Sequence, residues 1–280
     1  MHFRHVSILG LGLLGASLGL ALRKHASGTR IMGYAHRGAT ARAALKRGAA
    51  DEVFENPVEA IRGADLVVLC TPVGTFAEIL KQIAPSLEDG AIVTDVGSTK
   101  RSVVQLGEKL LPPTSHFVGS HPMAGSEKRG VEFARADLYD GALCIVTPTA
   151  ATNGAALTKV DEFWKSVGMR TTHIDPVAHD RLLASVSHLP HAIAAALTAV
   201  QPEAALPLAG KGFLDSTRVA AGDAGLWRDI FLDNRDNLAK SLAEVRGEID
   251  RLTAMLASGD AAAVETWLAK AAAKRGQMNK

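Results

Sequence analysis

The stretch VSILGLGLLG, residues 6–15, decides the fold. An apolar run leads into glycines at the spacing GxGxxG, and a helical pattern follows at about residues 14–24, which gives the order strand, tight turn, helix. The first glycine allows the turn, the second lets backbone approach a pyrophosphate, and the third permits close packing of helix on strand. The free N–H groups that open the helix favour an anion. We therefore predict a dinucleotide site at Gly10, Gly12, Leu13, Leu14 and Gly15.

Outward from this stretch, short β-rich runs alternate with helical patterns. In runs such as Leu66-Val67-Val68-Leu69 consecutive positions are apolar, so both faces of the strand should be buried, as in a parallel sheet. The chain is therefore predicted to be α/β, with a Rossmann-type parallel-sheet dinucleotide-binding domain in residues 1–174 and an all-α domain after it. The candidate strands are residues 6–9, 30–34, 65–70, 91–96, 116–119, 142–147 and 170–174.

Residues 175–280 form the predicted all-α domain. The β pattern ends at Asp175-Pro176, and apolar residues then recur at helical spacing through residues 179–200 and 226–256. These helices are long and apolar for one small domain, so we expect them to bury surface against a second copy of the chain. A closed homodimer is the simplest such arrangement. The helical domain is expected to serve substrate binding and dimerisation.

Composition and charge exclude some classes of binding partner. The chain has 31 basic and 29 acidic residues, a formal net charge of +2, which gives no strongly basic face for a nucleic acid. Cys70 and Cys144 sit inside apolar runs, which indicates buried thiols in a reducing compartment and a cytoplasmic protein. The apolar run of residues 6–22 is similar to a signal peptide or membrane span, but it is short and carries patterned glycines. We expect neither nucleic acid nor membrane as a partner.

The residues about 20 positions beyond the glycines decide how the cofactor ribose is bound. An NAD site usually has Asp or Glu there, whereas this chain has Ala35, followed by His36 and Arg37. Without a carboxylate a 2′-phosphate is not repelled, and Arg37, together with His36 and Thr40, is suited to bind it. NADP is therefore the preferred cofactor, with NAD possible. The alternative is that His36 and Arg37 form an ordinary solvated turn.

Polar loops follow later strands, at the sheet edge where open α/β folds bind ligands. The loop after the third candidate strand adds Thr71, Pro72 and Val73 to the predicted cofactor site. The loop after the fourth is DVGSTK, residues 95–100, and a third segment, GSHPMAGSE, covers residues 119–127. In that segment proline restricts the preceding His121 to an extended conformation. We predict that its imidazole faces the crevice.

Nearly the whole chain resembles the prephenate/arogenate dehydrogenase family, through the ordered motifs GLGLLGASL, LCTPV, DVGSTK, GSHPMAGSE, SHLPH, GFLDSTRVA and WRDIFLDN. The motifs HPMAGSE and DSTR are not general features of dinucleotide folds. The resemblance implies oxidation of a cyclohexadienyl acid with loss of carbon dioxide, by hydride transfer to NAD(P), in tyrosine biosynthesis. It implies that His121 is the catalytic histidine, Ser98 its partner near the nicotinamide, and Arg218 the group that binds the substrate's side-chain carboxylate. It also places near the active site, in less defined roles, Glu127, His188, His191 and Trp227.

The chemistry of this substrate class fits those roles. A neutral His121 accepts a hydrogen bond from the ring hydroxyl as that group gains carbonyl character, and we expect catalysis to fall on acidification near a pKa of about 6.5. Ser98 orients the imidazole or the hydroxyl. Arg218 should hold the side-chain carboxylate, because holding the ring carboxylate would stabilise the ground state. The residues do not decide between prephenate and arogenate, for whose ammonium Asp215 is one candidate partner, or whether tyrosine inhibits.

Other interpretations of these residues stay open. His188 and His191 lie three apart on a helix, which also suits a metal pair, but no third ligand accompanies them and we expect no metal. Trp227 alternatively packs helices, and Arg218 alternatively forms a structural ion pair. One rival function is another two-domain reductase such as a β-hydroxyacid dehydrogenase, which would rely on a helical lysine where this chain has SHLPH. The other is a non-catalytic NADP-sensing protein, which would not need His121, Ser98 and Arg218 together.

Overall fold

The computed structural model describes residues 3–25, 28–126 and 128–279. The chain divides into two compact units, residues 1–234 and 235–280. The first unit contains every strand that the structure describes, together with the helices that pack on them. The second unit is helical.

The first unit alternates strands and helices through most of its length. Its strands are β1 His5–Leu9, β2 Arg30–Tyr34, β3 Glu52–Phe54, β4 Leu66–Leu69, β5 Ile92–Asp95, β6 His116–Phe117, β7 Gly119–Pro122, β8 Leu143–Thr147 and β9 Arg170–His173. Its α-helices are α1 Leu13–His25, α2 Gly38–Lys46, α3 Pro57–Ala60, α4 Phe76–Ile83, α5 Arg101–Leu110, α6 Gly154–Ser166, α7 Pro176–Leu183, α8 Leu189–Ala199, α9 Lys211–Thr217 and α10 Ala224–Asp233.

Six strands form a parallel sheet in the order β3-β2-β1-β4-β5-β6. This is the doubly wound order of a Rossmann fold, so the predicted fold class is confirmed. The chain order reverses between β1 and β4, and ligands of such sheets bind at the carboxyl ends of the two strands on either side of that point. The loops after Leu9 and Leu69 therefore border the crevice.

Both faces of the central strands are buried, as the runs of apolar residues indicated. Along β4, Leu66 and Val68 belong to one apolar core, and Val67 and Leu69 belong to the core on the other face. Because side chains alternate across a strand, consecutive apolar residues supply both cores at once.

Two strands differ from the sequence prediction. The short β3 was missed because Glu52–Phe54 shows no apolar run, although it extends the sheet as the neighbour of β2. The predicted strand at residues 116–119 is in fact the end of one sheet and the start of another. The chain leaves the first sheet at Val118, and β7 then pairs antiparallel with β8 in a second sheet of order β7-β8-β9. The Ser120 N–H donates to Asp95 Oδ1 at 3.0 Å, which holds β7 at the carboxyl end of β5.

The long helices expected in residues 179–200 and 226–256 are each interrupted. Residues Ala184–His188 form a π-helical turn between α7 and α8. A π turn inserts a residue relative to α-helical spacing, so it changes which side chains share a face. The second predicted helix breaks at Asn234, whose side chain donates to the Asp180 carbonyl at 2.7 Å.

Among the described residues, one helical run, Pro176–Ala199, is long and apolar enough by length and composition to cross a membrane. Its buried side chains include His179, Asp180, His188 and His191. Asp180 and His188 are hydrogen-bonded to groups outside this run. One face of the run, which includes these polar side chains, is therefore packed inside the first unit.

The second unit consists of α11, Arg235–Ser258, and α12, Ala261–Gly276, followed by a short 3₁₀ turn. The Trp267 indole N–H donates to Glu248 Oε2 at 3.0 Å, which joins the two helices. Met255, Leu256, Val264 and Leu268 line an apolar groove of about 640 Å³ on this pair of helices. Exposed apolar side chains of this kind suit an interface with another protein surface.

Candidate active site

The glycine-rich turn after β1 has the geometry that a dinucleotide requires. Gly10 has φ +110°, and a Cβ there would lie 2.7 Å from the carbonyl carbon of Cys70. A Cβ on Gly15 would lie 1.9 Å from the Gly10 carbonyl oxygen, whereas a Cβ on Gly12 would meet no atom within 4 Å. Gly10 and Gly15 are thus required by the fold itself. Gly12 instead leaves open space, which is where a pyrophosphate approaches the backbone.

The start of α1 supplies the polar groups for that pyrophosphate. The first N–H groups of an α-helix have no partner within the helix, and they carry the positive end of its dipole. In α1 these groups belong to Leu13, Leu14 and Gly15. The Tyr139 hydroxyl donates to the Leu14 carbonyl at 2.8 Å, which holds the first turn of the helix in place. The residues present therefore fit a dinucleotide.

The loop after β4 forms the opposite wall of the crevice. Thr75 Oγ1 donates to the Pro72 carbonyl at 2.8 Å and lies 2.8 Å from Thr71 Oγ1, which holds the loop in a 3₁₀ turn that begins at Val73. A Cβ on Gly97 would lie 2.8 Å from Val73 Cγ2, so this loop and the loop after β5 approach closely. Thr71, Pro72 and Val73 thus lie at the edge predicted for them.

The ribose end of the crevice contains both cations and a carboxylate. Ala35 is buried and carries no charge, and His36 and Arg37 are exposed, with Arg37 Nε donating to His36 Nε2 at 3.2 Å. Arg37 precedes α2, which includes Thr40. The sequence prediction missed Glu55, which follows β3. Glu55 Oε1 and Arg42 Nη1 lie 3.0 and 3.3 Å from the position of a Cβ on Gly38.

A cavity of about 980 Å³ contains the predicted catalytic residues. Ser98, His121 and Trp227 line it, together with Leu13 from the start of α1. His121 lies on β7, in the extended conformation expected from Pro122, and its side chain is almost fully buried. The cavity therefore joins His121 to the predicted dinucleotide crevice.

The partner of His121 is another histidine. His121 Nδ1 lies 3.0 Å from His179 Nε2, and His179 Nδ1 lies 2.8 Å from Asp180 Oδ1. No hydrogen bond joins Ser98 to His121 within the part of the chain that the structure describes. Ser98 lines the same cavity, so its assigned role in orienting the hydroxyl or the imidazole stays a prediction.

The imidazoles of this site are kept neutral. Burial, together with the nearby His179, Lys100 and His188, holds the pKa of His121 well below its ordinary value of 6.5. Burial also lowers the pKa of His179, although the hydrogen bond to Asp180 opposes this effect. For His188, burial lowers the pKa to about 4. A neutral His121 is the form that accepts a hydrogen bond.

The helical wall of the cavity is aromatic. The rings of His191 and Trp227 are stacked, with centroids 3.6 Å apart, and His188 meets Trp227 edge-on at 6.3 Å. His188 is fully buried and its Nδ1 lies 3.1 Å from the side-chain nitrogen of Asn234. The structure thus brings His188 and His191 together behind Trp227, which both packs against them and lines the cavity.

Of the predicted substrate residues that the structure describes, only Trp227 is among those that line this cavity. Arg218 lies in the 3₁₀ turn Arg218–Ala221, is exposed, and is not among the residues that line the cavity. Glu127 lies outside the described residues. The neighbouring Arg129 forms an ion pair with Asp223, the residue that caps α10. This pair connects the segment after His121 to the helix that carries Trp227.

His179 and Asp180 were missed by the sequence reasoning. A signal was available, because Pro176, His179, Asp180, Leu183 and Ala184 recur at helical spacing, so two polar residues lie on the buried face of an apolar helix. Buried polar side chains on such a face need specific partners. Here those partners belong to α5 and β7.

Among residues 3–25, 28–126 and 128–279, no group of three His, Cys, Asp or Glu side chains is placed to hold a metal ion. What the structure does combine is a dinucleotide crevice and a neutral histidine in an adjoining cavity. The fold and this site together define the class: the chain is an NAD(P)-binding oxidoreductase.

Comparison with known proteins identifies the family. The family model "Prephenate dehydrogenase, nucleotide-binding domain" matches residues 18–173, and "Prephenate dehydrogenase, dimerization domain" matches residues 175–270. The prephenate dehydrogenase of Bacillus subtilis is 36% identical over 91% of this chain and 71% of its own length. The cyclohexadienyl dehydrogenase of Zymomonas mobilis is 33% identical over 92% of this chain and 90% of its own length. The chain belongs to the prephenate dehydrogenase family.

A solved structure agrees with this identification. The prephenate dehydrogenase of A. aeolicus, in complex with hydroxyphenyl propionate and NAD⁺, superimposes with a TM-score of 0.92 at 34% identity, and the match covers 99% of each chain. The resemblance found from the sequence motifs is therefore confirmed, and so is the fold of both parts of the chain. The rival reductase and sensor interpretations are not favoured.

Proposed function

We propose that this protein catalyses the oxidative decarboxylation of prephenate, arogenate or both with NAD(P), a step that leads to tyrosine. The observation that carries the proposal is a neutral His121 in a cavity that opens beside the dinucleotide crevice. Family membership supplies the substrate class.

The reaction balances with the groups available. The substrate is a ring with a hydroxyl on one carbon and a carboxylate on the opposite carbon. When bound, the dinucleotide supplies the hydride acceptor. As hydride leaves the hydroxyl-bearing carbon, the hydroxyl proton shifts towards His121 and the bond to the ring carboxylate breaks. The electron pair of that bond completes the aromatic ring, carbon dioxide departs, and the phenol retains or regains its proton.

We assign the remaining side chains by their position. Ser98 lines the cavity with His121 and is suited to orient the substrate hydroxyl. Trp227, supported by His188 and His191, forms the apolar wall against which the ring packs. Arg218 and Glu127 keep the roles implied by the family resemblance, Arg218 as the binder of the side-chain carboxylate. These roles rest on proximity and resemblance, and substitution is their test.

We further propose that NADP is preferred over NAD. Arg37 and the imidazole of His36 follow Ala35, which stands where an NAD site usually has a carboxylate, and Arg42 lies on the next helix. Glu55 opposes this preference, and both its Oε1 and Arg42 Nη1 lie within 3.3 Å of the position of a Cβ on Gly38. The related A. aeolicus enzyme was solved with NAD⁺.

Reversal of charge at Arg37 tests the cofactor preference. We expect Arg37→Asp to raise the Kd for NADP by about 10-fold or more, because a charge-assisted contact to the 2′-phosphate is replaced by repulsion. The Kd for NAD should change little. Titration of both cofactors by protein fluorescence measures the two constants. The matched control is Arg62→Asp, another exposed arginine, and equal effects of Arg37→Asp on NAD and NADP would contradict the assignment.

The rate should depend on pH below the ordinary histidine range. His121 must be neutral, and its pKa lies well below 6.5 because of burial and the nearby His179, Lys100 and His188. The rate is therefore expected to stay constant as pH falls through 6.5 and to decline only when pH reaches the lowered pKa. This moves the decline below the value expected from sequence. A kcat/KM profile that is half lost at or above pH 6.5 would contradict it.

We also propose a homodimer and a soluble, cytoplasmic enzyme. The matched dimerization-domain model and the apolar groove on α11 and α12 support the dimer. Cys70 and Cys144 form no disulfide, which suits a reducing compartment. By the same matches, we propose that residues 1–174 bind the cofactor and residues 175–280 complete the substrate site and the dimer.

The proposed activity is tested with prephenate and arogenate, each offered with NAD and with NADP. Formation of reduced nicotinamide in any of the four mixtures supports the proposal, and the relative rates assign the substrate and the cofactor. If none of the four mixtures forms reduced nicotinamide although the protein still binds a dinucleotide, the proposal is overturned.

A further inference from the structure

The amino terminus of α5 holds a buried carboxylate. Asp180 Oδ1 accepts from the Lys100 N–H at 2.7 Å, and Asp180 Oδ2 accepts from the Arg101 N–H at 2.9 Å. These N–H groups belong to the unpaired first turn of α5, where the helix dipole also favours an anion. Burial raises the pKa of Asp180, but the hydrogen bonds from His179, Arg101 and Lys100 outweigh it and lower this pKa. Asp180 is thus a carboxylate, which can only accept.

The charge of Asp180 decides which nitrogen of His179 carries the proton. His179 Nδ1 lies 2.8 Å from Asp180 Oδ1, and a carboxylate oxygen at that distance requires an N–H on Nδ1. His179 is fully buried and its pKa is lowered by burial, so the ring is neutral. A neutral imidazole has one N–H, so His179 Nε2 has a lone pair.

The same reasoning extends to His121. His179 Nε2 lies 3.0 Å from His121 Nδ1, and a lone pair at that distance requires an N–H on Nδ1 of His121. Because His121 is also neutral, its Nε2 has the lone pair. No described residue hydrogen-bonds that nitrogen, and His121 lines the cavity. The opposite tautomers would place the lone pair of His179 Nδ1 against the carboxylate.

We propose that His179 and Asp180 are positioning residues that fix His121 as the tautomer with unprotonated Nε2, the atom that accepts the substrate's hydroxyl proton. The dyad acts through His121 and does not touch the substrate. The tautomer can be observed without substrate, so only its catalytic consequence rests on the proposed function.

Other charged groups around His121 do not change this assignment. Lys100, on the loop before α5, is fully buried and paired with Asp95, and it disfavours a second positive charge on His121. His188, from the π turn, acts in the same direction. Both effects keep His121 neutral, and the hydrogen bond to His179 then selects the tautomer.

The direct test is ¹⁵N NMR of the histidine side chains in the full-length protein without ligand. The His121 signals are assigned as those lost in His121→Asn. We expect the Nε2 shift of an unprotonated nitrogen and the Nδ1 shift of a protonated one. In His179→Phe the acceptor for Nδ1–H is removed and Asp180 stays in place, so the two His121 tautomers should become mixed. A wild-type His121 protonated on Nε2, or an unchanged tautomer in His179→Phe, would overturn the proposal.

Kinetics distinguish positioning from a merely structural role. We expect His179→Phe to lower kcat about 10²-fold with little change in KM, as for a group that orients a catalytic base. His179→Gln, whose amide oxygen can accept from His121 Nδ1, should restore most of that loss. The control is His173→Phe, a half-exposed histidine on β9 that should leave kcat unchanged. Equal losses of kcat in His179→Phe and His179→Gln would contradict the proposal. If the wild-type protein shows the expected His121 tautomer but no turnover, that result counts against the proposed function alone.

Discussion

Replacement of His121 with asparagine is expected to lower kcat about 10³-fold, within the range that a positioned acid or base contributes. The side chain is almost fully buried on β7 and its Nδ1 is held by His179, so the loss removes a single prealigned acceptor for the substrate hydroxyl. KM and the Kd for the dinucleotide should change much less, because His121 does not form the glycine turn or the helix start. Steady-state kinetics and cofactor titration measure these constants.

His173→Asn is the matched control for this substitution. His173 lies on β9, and its side chain is 45% exposed and bonded to Asp161 at 3.1 Å, away from the cavity. It should retain normal turnover. If His121→Asn keeps more than about a tenth of wild-type kcat while folding normally, His121 is not the acceptor.

Gly15→Ala is expected to be the more damaging of two glycine substitutions in the cofactor turn. Its Cβ would lie 1.9 Å from the Gly10 carbonyl oxygen, so β1 and α1 would have to separate, with loss of both dinucleotide affinity and thermal stability. We expect a Tm lowered by several degrees, about 1–3 kcal/mol of overpacking, and at least about 10-fold weaker cofactor binding. Differential scanning fluorimetry and cofactor titration report the two effects.

Gly12→Ala tests cofactor binding separately from the stability of the fold. Because a Cβ on Gly12 meets nothing within 4 Å, this variant should keep the wild-type Tm and lose affinity for the dinucleotide alone. Gly154→Ala, another position with open space around the Cβ, should change neither. Unchanged cofactor affinity in Gly12→Ala would show that the pyrophosphate does not approach this backbone.

The sequence predicted those parts of the protein that local patterns determine. The spacing of Gly10, Gly12 and Gly15 follows from steric contacts within one turn. Apolar runs such as residues 66–69 indicate that both faces of the strand are buried. The position of His121 was predictable because Pro122 limits its backbone. The motifs also identified the family, which the comparisons confirm.

Contacts between distant segments could not be predicted in the same way. His179 and His121 are 58 residues apart, and their hydrogen bond exists only because the chain leaves the first sheet at Val118 and β7 then brings His121 to α7. The carboxylate of Glu55 reaches the ribose end through β3, which is too short to show an apolar run. The π turn likewise depends on packing, since its residues ASVSH fit an α-helical pattern equally well.

The most direct test of the central claim is the stoichiometry of carbon dioxide and reduced nicotinamide. Prephenate or arogenate, labelled with ¹³C at the ring carboxylate, is incubated with the protein and NADP or NAD, and both products are measured in the same reaction. The account predicts equal amounts of ¹³CO₂ and reduced dinucleotide from at least one substrate, and about 10³-fold slower formation of both by His121→Asn. Reduced dinucleotide without release of the label, or release of the label without reduction, would contradict it.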